Sequence, residues 1–165
     1  FGDNVDVTRN TVEECYNQVI TDLTEAESLL PESNDVFINK YTAAALLARV
    51  YLQKADYAAA RDAANRVIAS GYYESNNTYA ECFAQDDPTD EDIFSAENSE
   101  LDNSNVMVTY FAINDFGGRA DIEIEESHLA LYDDVDARKA MFFVDGDATF
   151  ASKFNNEFGN RSIIR

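Results

Sequence analysis

The part of this chain best suited to contact a ligand lies between residues 110 and 119. It combines aromatic side chains with planar polar ones, namely Tyr110, Phe111, Asn114, Asp115, Phe116 and Arg119. Flat aromatic faces stack on the C–H patches of sugar rings, while amide, carboxylate and guanidinium groups form hydrogen bonds with hydroxyls. We expect this segment to be a loop after a strand, and loops on a rigid scaffold concentrate binding residues. These six residues are therefore the candidate ligand site.

An ordinary structural role competes with this interpretation at each position. Tyr110 and Phe111 could simply alternate on a half-buried strand. A hydrolytic role has less support, because no pair of carboxylates stands out from the many acidic residues in a distinctive frame. The lone histidine, His128, follows Ser127 at a predicted helix start and has no nucleophile pattern beside it. The sequence therefore predicts binding without catalysis.

Acidic residues also crowd a predicted loop further upstream, at Asp86, Asp87, Asp90, Glu91 and Asp92. Such carboxylates could hold Ca2+, a hard cation that prefers oxygen ligands, but the spacing of an EF-hand loop is absent. We expect solvated loop charges and no cofactor, with Ca2+ as the weaker alternative. Cys15, Cys82 and the one histidine form no zinc-binding pattern. The sequence leaves open whether Cys15 and Cys82 form a disulfide. We expect Cys15 to act as a small hydrophobic residue in the core.

The net charge of the chain narrows the classes of partner. Lys and Arg total 12 and Asp and Glu total 32, which gives a formal charge of −20. Phosphates repel such a surface, so nucleic acid is excluded as a partner and docking on an anionic lipid surface is disfavoured. A neutral ligand, a basic partner or divalent cations remain compatible, as does a charge that serves solubility alone.

The element that would position the candidate site is a helical scaffold predicted over residues 11–71. Its clearest signal is the spacing of a tetratricopeptide helical hairpin, with alanine at the glycine and phenylalanine positions of the motif. The matching residues are Leu47, Ala48, Tyr51, Ala60 and Ala64. A preceding helix is predicted over residues 11–30, where Thr11 and Glu14 form a capping-box pattern. Thr42 and Asp56 are predicted to cap the two hairpin helices.

Small residues should allow the two hairpin helices to pack closely in antiparallel orientation. We expect Ala48, Ala60 and Ala64 to lie at this crossing, and Tyr51 and Tyr57 to fill the gap beside it. A hairpin of this kind cannot bury its apolar face alone and needs a neighbour to stack on.

Residues 72–165 carry weaker and more irregular signals. We expect short strands at 93–96 and 106–113, short helices at 127–132 and 136–143, and core positions for the aromatic residues near the start of this region. Those aromatic residues are Tyr72, Tyr73, Tyr79 and Phe83. The apolar run at 162–165 has no terminator, so we expect the natural chain to continue. The fold class predicted for residues 1–165 is therefore mainly α, a single domain of α-α superhelix type with an irregular second part.

Several segments, in order, resemble the SusD/RagB family of outer-membrane glycan-binding lipoproteins. The matching segments are residues 11–31, 39–52, 55–73, 91–94, 126–139 and 162–165. The fifth of these contains LYDDVDAR, which is similar to the "L-Y-D-x-x-D-x-R" turn of the family. The last resembles the opening of a later family helix. Together they make the resemblance specific to the family, although no single segment would do so and none names a sugar.

The resemblance implies a location and partners that the composition does not indicate. Members of the family are anchored by a lipidated N-terminal cysteine to the outer membrane, face outwards, and deliver oligosaccharide to a SusC-like TonB-dependent transporter. Cys15 lies inside a predicted helix and cannot be that lipidated cysteine. The opening helices and closing helix pairs of the family also have no counterpart here, so this chain resembles a central fragment of a member.

Two functions from different classes follow. The first is non-catalytic binding of an oligosaccharide or polysaccharide at the cell surface, with delivery to the transporter. The second is a tetratricopeptide-like scaffold that holds a partner protein and binds no sugar. The absence of tryptophan favours the second for this chain taken alone, whereas the order of the family segments favours the first for the parent protein.

Overall fold

The computed structural model describes residues 8–83, 87–99, 101, 106–153 and 159–165. The chain divides into two compact units, Phe1–Tyr72 and Tyr73–Arg165. The described residues are mainly helical with short strands, which confirms the prediction of a mainly α fold. No helix within these ranges combines the length and apolar character that crossing a bilayer requires.

From residue 8 onwards the first unit contains three helices, α1 at Val12–Leu29, α2 at Lys40–Gln53 and α3 at Tyr57–Ile68. Thr11 caps α1 through the predicted capping box: its hydroxyl accepts from the Glu14 amide, and the Glu14 carboxylate accepts from the Thr11 amide at 2.8 Å. Asp56 caps α3 as predicted, accepting from the amide of Ala59. These local hydrogen bonds satisfy amides that have no partner within their helices.

The predicted cap of α2 is wrong by three residues. Asn39 caps the helix and accepts hydrogen bonds from the amides of Tyr41 and Thr42. The Thr42 hydroxyl instead accepts from the Asn39 amide at 3.3 Å, as the second member of a capping box. Both side chains are good capping groups, and the pair works together.

The core of the first unit lies where α2 and α3 cross. Leu47 and Ala60 are buried there, and Ala48 and Ala64 are half-buried. The expected role of Tyr57 is wrong, because its side chain is 66% exposed.

Helix α1 packs on this pair mainly through its polar and half-buried residues. The Arg66 guanidinium of α3 donates two hydrogen bonds to the Glu27 carboxylate of α1, at 2.6 and 2.8 Å. Lys54 donates to the Asn17 side chain at 3.2 Å. None of the residues of α1 is fully buried, and Cys15 is an exposed free thiol, so the core role expected for it is wrong. Cys82 is a half-buried free thiol, so the structure contains no Cys15–Cys82 disulfide.

In the described part of the second unit the strands form two separate antiparallel pairs. Strand β1 at Phe94–Asn98 pairs with β4 at Gly159–Ile164, and β2 at Phe142–Asp145 pairs with β3 at Ala148–Ala151. The strand predicted at 93–96 is thereby confirmed. The helix opening expected at 162–165 is wrong, because this segment is part of β4.

The described residues of the second unit also form two short helices, α4 at Val106–Phe111 and α5 at Glu126–Leu129. The strand predicted at 106–113 is wrong, because α4 occupies most of this segment. Helix α5 confirms a helix near 127–132. The predicted helix at 136–143 is wrong in part, since a 3-10 turn at Ala137–Met141 leads directly into β2.

The aromatic residues at 72–83 are less buried than expected. Tyr72 is exposed and contacts the Tyr41 ring at 5.4 Å between centroids. Tyr79 and Phe83 are half-buried and meet edge to face at 5.2 Å. The Lys153 ammonium lies over both of these rings, at 5.2 and 4.9 Å from their centroids. This cluster is therefore a packed cation–π group rather than part of a deep core.

Candidate functional site

The candidate site is built on the C-terminal end of α4 and the chain that returns over it. Three successive amides of the returning chain donate to carbonyls of the preceding segment: Gly118 to Ile113, Arg119 to Thr109 and Ala120 to Ala112. The distances are 3.0, 2.9 and 3.0 Å. These bonds satisfy carbonyls that the end of a short helix leaves without partners. The return is therefore fixed by backbone hydrogen bonds.

Two buried residues and two glycines make this return tight. Val108 and Ala112, one helical turn apart, have no exposed surface and anchor α4. Gly117 has φ of 80°, the left-handed region in which glycine has no side-chain penalty. Gly118 is buried against α4, and a methyl group on its Cα would meet the Ala112 carbonyl oxygen.

The return brings Arg119 onto Tyr110. The guanidinium carbon lies 5.8 Å from the centroid of the Tyr110 ring, which is within the range of a cation–π contact. Arg119 also forms an ion pair with Asp121 at 2.9 Å. Tyr110 is 42% exposed, so part of its ring remains accessible to a ligand. The pair thus places a guanidinium group against an aromatic ring.

The other candidate residues surround this pair along the chain. Asn114, Asp115 and Phe116 form a 3-10 turn, and all three are exposed. The Phe116 ring is 43% exposed and meets the Phe143 ring edge to face, 6.3 Å between centroids. Phe111 is half-buried. The assignment of a ligand to these residues stays a prediction.

Sequence reasoning missed two residues that hold the site together. Asp121 follows Arg119 by two residues, and their opposite charges in a loop were a usable signal for an ion pair. Phe143 supports Phe116 from strand β2. Nothing in the local sequence indicated that contact, because it depends on how distant segments pack.

A second aromatic group lies on α5 and β2. The Tyr132 ring packs edge to face on His128 and Phe142, at 5.3 and 5.1 Å between centroids. The Tyr132 hydroxyl and His128 Nε2 lie 3.2 Å apart, and the Arg138 guanidinium lies 5.1 Å from the Tyr132 ring. His128 is exposed, in agreement with its predicted surface position. Its contacts are those of a packing residue.

The acidic segment upstream is less solvated than predicted. The Asp92 side chain is 3% exposed, accepts from the Thr89 amide at 2.8 Å and pairs with Arg165 at 2.7 Å. Glu91 accepts from the Asn76 amide at 3.2 Å. These two carboxylates therefore serve the fold. Asp86 lies outside the described residues, and within them no group of three or more His, Cys, Asp or Glu is placed to hold a metal ion.

Asp136 and Arg138 fix the turn that leads into β2. The guanidinium donates to both carboxylate oxygens, at 3.0, 3.1 and 2.6 Å, and the Arg138 amide adds a fourth bond at 2.9 Å. The side-chain bonds from Arg138, and then its backbone amide, lower the pKa of Asp136 from 3.8 to about 2. The turn is therefore held by a local ion pair.

The lowered pKa predicts a specific acid sensitivity. A carboxylate with a depressed pKa stabilises the fold above its unfolded pKa, near 3.8, and this contribution disappears as the pH falls through about 2. We therefore expect Asp136→Asn to be less stable than the parent chain at pH 5, with the difference shrinking between pH 4 and pH 2. Urea denaturation midpoints at pH 5, 3 and 2 measure this. Asp147→Asn, at an exposed turn carboxylate, is the control. A difference that stays constant with pH would contradict the role of the ion pair.

Comparison with known proteins gives one family match. Residues 2–52 match the model of the SusD-like family described as starch-binding and associating with the outer membrane. That match covers the first helices and does not reach the candidate site. No curated protein matches the chain.

Solved structures match almost the whole chain. The chain is similar to a SusD superfamily protein from Bacteroides vulgatus, with 25% identity, a TM-score of 0.75 and coverage of 95% of this chain and 40% of that one. A SusD-like carbohydrate binding protein from the same species has 23% identity and a TM-score of 0.69, over 94% and 37% of the two chains. A SusD superfamily protein from Bacteroides thetaiotaomicron has 24% identity and a TM-score of 0.69, over 95% and 41%.

The chain thus spans about two fifths of the length of these structures. The family match and the shared fold agree with the order of segments that the sequence itself displays. The chain is therefore similar to SusD-like proteins in the sequence of its first helices and in its fold.

Proposed function

We propose that this chain is part of a non-catalytic glycan-binding protein associated with the outer membrane. The family description, starch-binding and associating with the outer membrane, supports the general function. The observation that carries the local proposal is the accessible Tyr110 ring with the Arg119 guanidinium lying over it. An aromatic face stacks on a sugar ring, and the guanidinium donates to hydroxyls at its edge.

The wider role extends this proposal to the parent protein. We expect a lipid anchor, an outward-facing position and hand-off of oligosaccharide to a SusC-like TonB-dependent transporter. These features rest on the family resemblance, since the chain spans about two fifths of its solved relatives. Delivery without cleavage fits a site in which aromatic and polar groups bind and no catalytic carboxylate pair is set apart.

Replacing Tyr110 with alanine tests the ligand site directly. We expect the parent chain to bind a neutral oligosaccharide, and Tyr110→Ala to weaken that binding about fivefold to thirtyfold, as loss of about 1–2 kcal/mol of contact implies. Isothermal titration with a panel of maltooligosaccharides, xylooligosaccharides and mixed-linkage glucans measures it. Tyr57→Ala is the matched control, because it removes an exposed tyrosine from the first unit.

The same panel tests the absence of catalysis. After incubation with pure protein, product analysis should show each oligosaccharide intact. Cleavage that disappears on replacing one carboxylate would overturn the non-catalytic proposal. Equal binding by the parent chain and Tyr110→Ala would mean that the ligand site lies elsewhere. No binding to any glycan would favour a protein-binding scaffold.

A protein-binding scaffold is the second candidate, and the surface of the first unit favours it. Large apolar residues lie exposed around α1 and the turn after it, namely Val12, Leu29, Val36, Phe37 and Ile38. Val36, Phe37 and Ile38 are consecutive, and a contiguous exposed apolar patch often marks a contact with another protein. This candidate predicts no glycan affinity in the titrations above, which separates it from the first.

A further inference from the structure

We infer that Asp121 makes the proposed glycan site selective for uncharged sugars over acidic ones. The inference rests on the proposed function, since it concerns the ligand of the same Tyr110–Arg119 surface. It begins with the distribution of basic residues. Between Arg66 and Arg138 the chain contains a single Lys or Arg, which is Arg119. An acidic sugar at this surface therefore has one cation within this part of the sequence to pair with.

That cation already has two partners. Its guanidinium lies over the Tyr110 ring and forms an ion pair with Asp121 at 2.9 Å. The backbone of Arg119 is held in place, because its amide donates to the Thr109 carbonyl at 2.9 Å. A guanidinium held in this way can still donate a hydrogen bond to a hydroxyl, but its charge is offset by the Asp121 carboxylate.

The surroundings of the pair add to this effect. The flanking sequence supplies further carboxylates, namely Asp115, Glu123, Glu125 and Glu126. All of them are exposed, and the formal charge of the whole chain is −20. The resulting negative potential repels a uronate or a sulfated sugar and leaves a neutral sugar unaffected. Asp121 thus acts as a positioning residue that also weakens the attraction of Arg119 for an acidic ligand.

The test compares two forms of one oligosaccharide. A neutral glucan from the panel is used intact and after oxidation of its C6 hydroxyls to carboxylates, which changes the charge and keeps the backbone. We expect the parent chain to bind the oxidised form about tenfold more weakly at about 0.05 M salt, with a smaller difference at about 0.5 M.

Two variants distinguish the effect of the Arg119–Asp121 ion pair from the effect of the overall negative potential. Asp121→Asn and Glu123→Gln each remove one negative charge from the same segment, but only the first releases Arg119. An exposed ion pair is weak, so we expect Asp121→Asn to raise the ratio of oxidised to neutral affinity about threefold above that of Glu123→Gln. The readout is this ratio, which a merely structural effect on binding would not change.

The outcomes distinguish this inference from the function on which it rests. A ratio raised by Asp121→Asn and not by Glu123→Gln supports it. Equal binding of both sugar forms by the parent chain, or equal ratios in both variants, overturns it and leaves glycan binding intact. No binding of any neutral glycan overturns the proposed function, and the selectivity assigned to Asp121 falls with it.

Discussion

Leu47→Ala is expected to lower the free energy of unfolding of the first unit by about 2–5 kcal/mol. The Leu47 side chain is 1% exposed and lies at the crossing of α2 and α3. Its neighbours in the core are small, among them Ala44 and Ala63, which have no exposed surface. Alanine cannot move to fill the space that leucine leaves, so a cavity adds to the lost burial.

Urea denaturation followed by helical circular dichroism measures this loss. Leu52→Ala is the matched control, because it makes the same change on the same helix at an exposed position. We expect it to cost no more than about 0.5 kcal/mol. Similar losses for the two variants would mean that the crossing of α2 and α3 is not the core of this unit.

The three long helices could be predicted because their signals are local. Thr11 and Asp56 each bond to an amide three residues ahead, so the capping pattern is visible in the sequence. The alanines at the crossing could be predicted for the same reason, since their spacing places them on one face of each helix. The cap of α2 was misplaced because Asn39 and Thr42 are both good capping residues, and only their joint geometry shows which one begins the helix.

The sequence indicated which residues form the candidate site, but it did not predict their backbone conformation. Residues 106–113 are rich in β-branched and aromatic side chains, which locally favour a strand. The burial of Val108 and Ala112 on one helix face, with carbonyls satisfied by the returning chain, stabilises a helix instead. These interactions belong to packing and override the local preference.

The end of the chain was mispredicted for a related reason. Residues 162–165 were interpreted as a helix opening from a family resemblance, whereas Ile164 pairs with Phe94 across an antiparallel ladder. Strand pairing between segments far apart in the sequence leaves no local pattern by which to recognise it. The ion pair of the buried Asp92 carboxylate with Arg165 was missed for the same reason.

Gly118→Ala is expected to have the largest effect on the second unit. The added methyl carbon would lie 2.0 Å from the Ala112 carbonyl oxygen and 2.7 Å from that of Val108. Both are backbone atoms of the α4 segment, so no side chain can rotate away to make room. The returning chain must therefore move, with loss of the hydrogen bonds that Gly118, Arg119 and Ala120 donate. We expect destabilisation by about 3 kcal/mol, at the upper end of overpacking effects.

The same displacement should remove the proposed ligand surface, because Arg119 follows Gly118 directly and depends on the return to lie over Tyr110. Gly146→Ala is the control: it adds a methyl group in the same unit, in open space but with φ of 60°, and should cost about 1 kcal/mol through backbone strain alone. Hydrogen exchange of the Arg119 and Ala120 amides reports the local change, and urea denaturation reports the total. If Gly118→Ala keeps these amides protected and unfolds like Gly146→Ala, the chain does not return over α4 as described. In that case the close packing of Gly118 does not position Arg119, and other interactions must hold the guanidinium over the Tyr110 ring.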